Sequence, residues 1–516
     1  MIGTKASSKP WKDTFQAWLH PRVISMLFLG FSAGIPILLI FSTLSAWLRE
    51  AGVERATVTF FSWAALGYSF KFVWAPLIDR LPLPFLTRVL GRRRAWMVVS
   101  QLSIMGAIFW MASIDPASSH SQLTAMAFAA ILLGFSSATQ DIVIDAFRIE
   151  CVEEDMQAML SATYIAGYRI AMIVAGAGSL FLADYFGSTM ELYQYRAWQL
   201  TYFGVGCCML VGLITALVVA EPERTGLPKK LEYSAAQYGR FFLLFLCAVS
   251  VFVLVFFYGG SFTGSIKQAL KESSLWSGKI IGFFVECIRL VAALFFALLT
   301  ARVLVWAKLI DRNMLDDTYI DPVRDFFTRY GMRTAMLLLL LVGFYRVSDI
   351  VLGVISTVFY LDIGFSKTEI AAVVKTFGLL MTIAGGFLGG MLTIRFGVLK
   401  ILLVGAVLSA ATNVLFMLLA GVGPDPFLFK IVIGADNLAA GLASAAFVAF
   451  LSSLTSISFT AVQYAIFSSL MSLFPKLIGG YSGTIVNSIG YPSFFLMTAL
   501  IGIPVIFLIW LVRNVE

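Results

Sequence analysis

Residues 23–48 read VISMLFLGFSAGIPILLIFSTLSAWL, and no charged side chain interrupts them. About 20 apolar residues in a helix cross the hydrocarbon core of a bilayer. No water reaches the backbone there, so a spanning segment satisfies its own amides and carbonyls in a helix or joins a closed barrel. A barrel would show short segments of alternating polarity, and this block is unbroken. The stretches 95–114, 197–220, 241–266 and 401–424 are equally free of charge. The chain therefore reads as a polytopic, all-α membrane protein.

Composition agrees. Of 516 residues, 59% are apolar and 13% are charged, where a soluble domain carries about a quarter charged. So many apolar residues exceed what one soluble core encloses. The net charge of +8 does not indicate nucleic acid, because the basic residues lie between apolar blocks, as in cytoplasmic loops. Cys207, Cys208, Cys247 and Cys287 fall inside apolar segments, and His20 and His120 flank such segments. That pattern offers no metal-ligand spacing, no disulfide framework and no histidine-based catalytic set. No metal and no cofactor are expected, and the chain is not expected to be an enzyme.

No cleavable signal peptide is expected, since the first apolar block is too long for one. Ahead of it, Trp11, Phe15, Trp18 and Leu19 recur at helical spacing beside Lys9 and Lys12. Residues 1–22 read as an amphipathic arm on the cytoplasmic membrane surface.

Fourteen candidate spans follow, at about 23–48, 57–78, 95–113, 123–147, 160–184, 198–220, 241–259, 281–301, 334–361, 369–393, 398–420, 428–453, 460–486 and 491–512. Lys5, Lys9, Lys12 and Arg22 precede the first. Arg80, Arg88, Arg92, Arg93 and Arg94 follow the second, and Arg302, Lys308, Arg312, Arg324, Arg329 and Arg333 follow the eighth. All three places share one side if the spans alternate, so both termini are expected in the cytoplasm. The outer loop 260–279, with three lysines, runs mildly against that rule.

An internal repeat organises the spans. Residues 176–187 read GAGSLFLADYFG and 479–490 read GGYSGTIVNSIG, with Asp184 matching Asn487. TLSAWLREAG at 43–52 has an echo in TVFYLDIG at 357–364. The chain thus divides into a six-helix bundle at 23–220, a central insertion at 221–333 with two extra spans and a linker, and a second six-helix bundle at 334–516. Two such halves with a substrate between them is the layout of major facilitators.

Ionisable groups inside a bilayer usually face a cavity or a partner, and here they are few. Tyr68 and Lys71 share a face of the second span at i, i+3. That span closes with DRLPLPFLTRVLGRRR at 79–94, which resembles the major-facilitator loop motif, stretched between Arg80 and Gly91. Asp79, Arg80, Arg92 and Arg93 are candidates for a gate. Asp79 would sit at another helix's N-terminus or pair with arginine to hold the cytoplasmic side closed. In SSATQDIVIDAFR at 136–148, Asp141, Asp145 and Arg148 fall on one helical face with Gln140 adjacent. Asp141 is a candidate for proton coupling or substrate contact. Asp145 either joins that role or braces the bundle through Arg148. Tyr168 and Arg169 lie in the fifth span. The Arg169 fork either takes a substrate carboxylate or partners Asp141 or Asp145. The second half supplies Arg346 with Asp349, Lys375, the Asp436–Asn437 pair and Lys476, and the insertion supplies Glu286 with Arg289, spaced to satisfy each other.

FSAGIPILLIFSTLSAWL, GYSFKFVWAPLIDR, SSATQDIVIDAF, GYRIAMIVAG, VVKTFGLLMTIAGG and DNLAAGLASAAFVAFL occur in that order. Together they resemble the AmpG-type muropeptide permeases of Gram-negative bacteria, across both halves and without most of 221–333. The resemblance implies a proton-driven importer, in the inner membrane, of N-acetylglucosamine–1,6-anhydro-N-acetylmuramyl peptides from periplasm to cytoplasm. Such uptake feeds peptidoglycan recycling and, in some bacteria, β-lactamase induction. It also implies a monomer whose partners are the muropeptide, protons and lipid. Lys71, Arg169 and Lys375 would meet substrate carboxylates. Tyr68, Trp63 and Tyr168 would meet the sugars, and Gln140, Asp436 and Asn437 would add polar contacts. The alternatives are a facilitator for another anionic solute, acetyl-CoA-like or siderophore-like, and a non-transporting membrane receptor. A receptor or enzyme would call for a large soluble domain or a nucleophile–base set, and the sequence offers neither.

Overall fold

The computed structural model describes residues 19–54, 61, 68, 70–152, 156–189, 191–222, 234–273, 278–309, 311–479 and 482–515. Residues 1–18, most of the amphipathic arm, lie outside that set, as does Trp63. The side chains of Lys375, Lys476 and Glu286 also lie outside it. Among the described residues the regular structure is helical, with no strand.

The first half is built from α1 (Pro21–Ile40), α2 (Ser42–Glu50), α3 (Ala75–Arg80), α4 (Arg92–Ala112), α5 (His120–Glu150), α6 (Gln157–Ile173), α7 (Ser179–Tyr185), α8 (Tyr195–Cys207) and α9 (Met209–Val218). Then come α10 (Ala235–Ser273) and α11 (Gly278–Trp306). The second half holds α12 (Asp321–Phe344), α13 (Val347–Asp362), α14 (Gly378–Phe396), α15 (Val398–Val422), α16 (Pro426–Ser453), α17 (Thr460–Gly479) and α18 (Ser482–Val515). Eleven helices among the described residues are long and apolar enough to cross a membrane, and 291–306 and 457–473 are shorter apolar helices. Half of the expected span at 57–78 lies outside the described residues.

Local chemistry explains the ends and contacts of these helices. Pro21 opens α1, where a missing N–H costs nothing, and His20 Nδ1 accepts from Arg22 N at 3.3 Å. Small residues let membrane helices approach closely. A Cβ on Gly167 would fall 1.9 Å from the Leu27 carbonyl oxygen, and one on Gly30 would fall 2.1 Å from that of Tyr164. The α1 and α6 backbones therefore touch. The matched sequence blocks end alike: Gly187 has φ +93° and Gly490 +77°, while Gly52 has +78° and Gly364 +107°. Only glycine adopts those angles freely, so each block closes on a turn that its sequence reserves.

The described residues up to 225, together with those from 326 onward, form one compact unit, and 226–325 form a second. Within the second, α10 and α11 pack along each other, and the Arg289 guanidinium lies 4.1 Å from the centre of the Phe256 ring. The first unit carries every candidate gate, proton and substrate residue.

Candidate functional site

One end of the first unit is closed by a knot of charge. Asp79 ends α3, Arg93 begins α4 and Glu150 ends α5; their side chains are 4%, 1% and 2% exposed. Arg93 Nη2 donates to Asp79 Oδ1 at 2.6 Å and to Glu150 Oε1 at 2.5 Å, and Arg93 Nε donates to Glu150 Oε2 at 3.0 Å. The other half enters through the first turn of α17. Thr460 Oγ1 accepts from Arg93 at 2.9 Å and donates to Glu150, and the Val462 amide donates to Asp79 Oδ2 at 3.2 Å. A carboxylate at a helix N-terminus meets free N–H groups and the positive end of the helix dipole. Arg92 donates to the Asp79 carbonyl at 2.5 Å, and Arg80 lies 5.8 Å from the Phe459 ring centre. A buried arginine with two carboxylates is favourable only while all three stay paired.

Glu221 completes this end from the chain that leaves α9. Its two carboxylate oxygens accept the Arg93 and Arg94 amides at 2.8 and 3.1 Å, capping α4. Gly91, at φ +88°, makes room: a Cβ there would sit 2.5 Å from Glu221 Cδ. Burial lifts the Glu221 carboxyl above its usual range, against the pull of those two amides.

Deeper in the first half lies a polar row. Lys71 Nζ stands 3.6 Å from Asp145 Oδ2, and Arg148 Nη2 stands 3.5 Å from Asp145 Oδ1. Arg148 also donates to Gln157 Oε1 at 3.2 Å, Ser161 Oγ at 3.1 Å and, in the other half, Ser452 Oγ at 2.8 Å, and it lies 5.1 Å from the Tyr464 ring centre. Asp145 is thus tied into a brace between the halves. Asp141, one turn away, has Lys71, Asp145 and Tyr164 as polar neighbours, yet its Oδ1 is buried with no hydrogen-bond partner. Tyr68 donates to Ser137 at 2.6 Å and Gln140 Nε2 to Ser32 at 2.8 Å. Arg169 Nη1 reaches Met172 Sδ at 4.0 Å, and among the described residues it forms no ion pair. Neither Asp141 nor Asp145 partners it.

In the second half Arg346 Nε lies 3.5 Å from Asp349 Oδ2, and Arg346 Nη1 donates to Ser444 at 2.8 Å. Ser409 donates to Asp349 and Thr412 to Asp436 Oδ1, the latter at 3.2 Å. Asn437 accepts from Thr382 at 2.9 Å. Asp436 and Asn437 therefore point to different neighbours: Asp436 toward α15 and Asn437 toward α14.

Glu150, Glu221, Thr460, Tyr164 and Ser452 were not singled out from the sequence. Glu150 could have been: it follows the fourth span two residues after Arg148, and a carboxylate at the membrane boundary calls for a cation. Thr460 and Ser452 carry no comparable sign, because hydroxyls are common in membrane helices.

Residues 23–348 match the family model of the Major Facilitator Superfamily. The chain belongs to that superfamily. This facilitator is 30% identical over 488 residues to "Putative transporter AmpG 4" of Rickettsia conorii, covering 95% of each chain. It is 28% identical over 497 residues to the "Anhydromuropeptide permease" of Escherichia coli K12, covering 96% of this chain and 80% of that one. Among solved structures it superposes on the proton:xylose symporter XylE bound to 6-bromo-6-deoxy-D-glucose with a TM-score of 0.57 at 11% identity, covering 96% and 95%. The Escherichia coli fucose:proton symporter FucP gives 0.57 at 12% identity, covering 96% and 99%. At such identities the structures establish the fold alone. This facilitator is an AmpG-type multi-pass membrane transporter.

Proposed function

We propose that this facilitator imports N-acetylglucosamine–1,6-anhydro-N-acetylmuramyl peptides across the bacterial inner membrane, from periplasm to cytoplasm, in symport with protons. The observation that carries the reading is its relation, over 96% of its length, to a protein named as an anhydromuropeptide permease. The interior chemistry supports it: a muropeptide brings hydroxyls, amides and carboxylates, and Tyr68, Gln140, Tyr168, Arg169 and Asn437 offer complements to each. Lys71, Lys375 and Asp436 complete the proposed substrate set. Asp141, with its orphan oxygen, is the proposed proton carrier, and Asp145 tunes it. Asp79, Arg80, Arg92 and Arg93 form the latch on the cytoplasmic side. The transporter acts as a monomer with both termini in the cytoplasm, where a reporter fused after Glu516 would be active only if cytoplasmic. The bundles at 23–220 and 334–516 carry transport, and the helix pair in the insertion at 221–333 is not required for it. In bacteria that use the released fragments as a signal, the same uptake would feed β-lactamase induction. The test is entry of labelled anhydro-muropeptide into a strain lacking its own permease. Uptake above the empty-vector level is expected, and none in cells that display the folded protein in the membrane contradicts the proposal.

A further inference from the structure

A groove opens sideways between the two halves, near the end where α1 begins and α14 ends. Its lining includes Val23 and Ile24 of α1, Thr163 of α6, and Phe387, Leu388 and Met391 of α14. α1 and α6 touch through their backbones and make one wall; α14 makes the other. Beside the groove the walls meet. α6 packs against α14, and a Cβ on Gly390 would fall 3.2 Å from the Ala158 carbonyl oxygen and 3.3 Å from Ala162 Cβ. The cavity measures about 680 Å³, within the roughly 300–1,000 Å³ of ligand sites.

The chemistry of the walls does not suit a sugar or a peptide. Thr163 brings a hydroxyl, already engaged in donating to the Met159 carbonyl at 2.9 Å, and the other lining side chains are apolar. Ile24, Phe387 and Leu388 are 43%, 36% and 36% exposed, and they stand on helices that cross the membrane. What reaches such a groove comes from the bilayer. Its mouth carries positive charge. Arg22 immediately precedes Val23, and Arg395 lies one turn beyond Met391, on the same face of α14. Both arginines stand at helix ends, where the guanidinium extends to the level of the headgroups. A guanidinium matches a phosphate in shape and charge. We propose that the groove holds an acyl chain of an anionic phospholipid whose phosphate is held by Arg22 and Arg395. One wall belongs to each half, so the bound chain stabilises this arrangement of the halves over one in which the walls part. Such a site serves a facilitator of any solute.

The test uses the purified full-length protein in detergent, with phosphatidylglycerol and phosphatidylcholine of the same chains as probes. Native mass spectrometry counts the lipid retained. Phosphatidylglycerol should be held about tenfold more tightly or better, since each arginine at a headgroup contributes about fivefold. The preference should vanish in the double variant Arg22→Gln/Arg395→Gln. Ala384 lines the groove from α14 and is exposed, so Ala384→Trp fills it from the lipid side and should remove the tightly held phosphatidylglycerol. The lipid should raise the melting temperature of the unaltered protein and leave that of Ala384→Trp unmoved. A phosphatidylglycerol with a photoreactive group in its chain places the site. Cross-links concentrated on residues 23–27 and 384–391, and lost in Ala384→Trp, support the groove. Cross-links spread evenly over the outer helices, or unchanged in Ala384→Trp, overturn it, as does equal retention of the two lipids by the unaltered protein. Should Ala384→Trp fail to fold, Ala384→Leu is the smaller filler, and the same losses are expected of it.

Discussion

Asp79→Asn is the sharpest perturbation of the latch. Asp79 accepts from Arg93 at 2.6 Å through Oδ1 and from the Val462 amide at 3.2 Å through Oδ2, with Arg92 Nη2 3.9 Å from Oδ1. Asparagine can still accept from Val462, but its NH2 then faces the Arg93 donors and the charge is gone. The loss of one charge-assisted hydrogen bond costs about 1.5–3 kcal/mol. The larger penalty of about 3–5 kcal/mol for stranding a buried charge is avoided, because Glu150 still pairs Arg93 at 2.5 and 3.0 Å. The variant should therefore fold. In the proposed latch the α3–α17 contact is made only when this end is closed, so the loss would fall on the closed state and shift its equilibrium with the open one by about 10- to 150-fold. Spin labels at Val89 and Ile457, which are 79% and 53% exposed and lie on opposite sides of the contact, report that separation once the native cysteines are replaced. A longer-distance population that grows in Asp79→Asn is expected. A distance distribution unchanged from the parent, in a variant that folds, refutes the latch.

Three further outcomes follow from the structure. Asp141→Asn fixes the neutral form of a carboxylate whose buried Oδ1 lacks a hydrogen-bond partner; gradient-driven accumulation of substrate should fall to background while exchange down the substrate's own gradient persists, and normal accumulation would remove Asp141 from coupling. Gly167→Ala places a methyl 1.9 Å from the Leu27 carbonyl oxygen, and overpacking of about 1–3 kcal/mol or more should lower the melting temperature by several degrees, whereas Gly106→Ala, which meets nothing within 4 Å, should change it little. Burial raises the Glu221 carboxyl pKa, so the folded chain holds that proton more tightly than the unfolded chain. Its contribution is complete below the ordinary carboxylate range and fades as pH rises through the folded value; Glu221→Gln should flatten that part of a stability–pH curve and cost about 1 kcal/mol for the lost amide contact.

The architecture was legible because apolar blocks declare spans without tertiary information. The repeat was legible because turn glycines cannot drift: Gly187 and Gly490, like Gly52 and Gly364, occupy positive φ. Helical spacing also brought Arg346 near Asp349 and Arg148 near Asp145, since i, i+3 neighbours need no partner helix. Contacts between helices left weaker traces. Lys71 and Asp145 each stood out alone, but nothing in their separation of 74 positions announces a pair at 3.6 Å. Arg93 stood among the gate candidates with Arg80 and Arg92, but the run of basic residues does not say which of them is buried against Asp79, Glu150 and Thr460. A run of arginines looks the same whether it is solvated or serves as a clasp. Glu221 sat at an assigned domain boundary and acts as the cap of α4, a role fixed by folding across more than a hundred residues.

Coupling of a proton to muropeptide movement is the core of the proposed function. It is tested most directly in liposomes holding the purified protein and no other, with labelled anhydro-muropeptide outside and an imposed inward proton gradient. One pH unit is worth about 1.4 kcal/mol per proton, so single-proton symport should concentrate the label inside about tenfold over the outside. Dissipating the gradient should bring the two sides to equality. Label that stops at equality with the gradient in place, or never enters, contradicts the account.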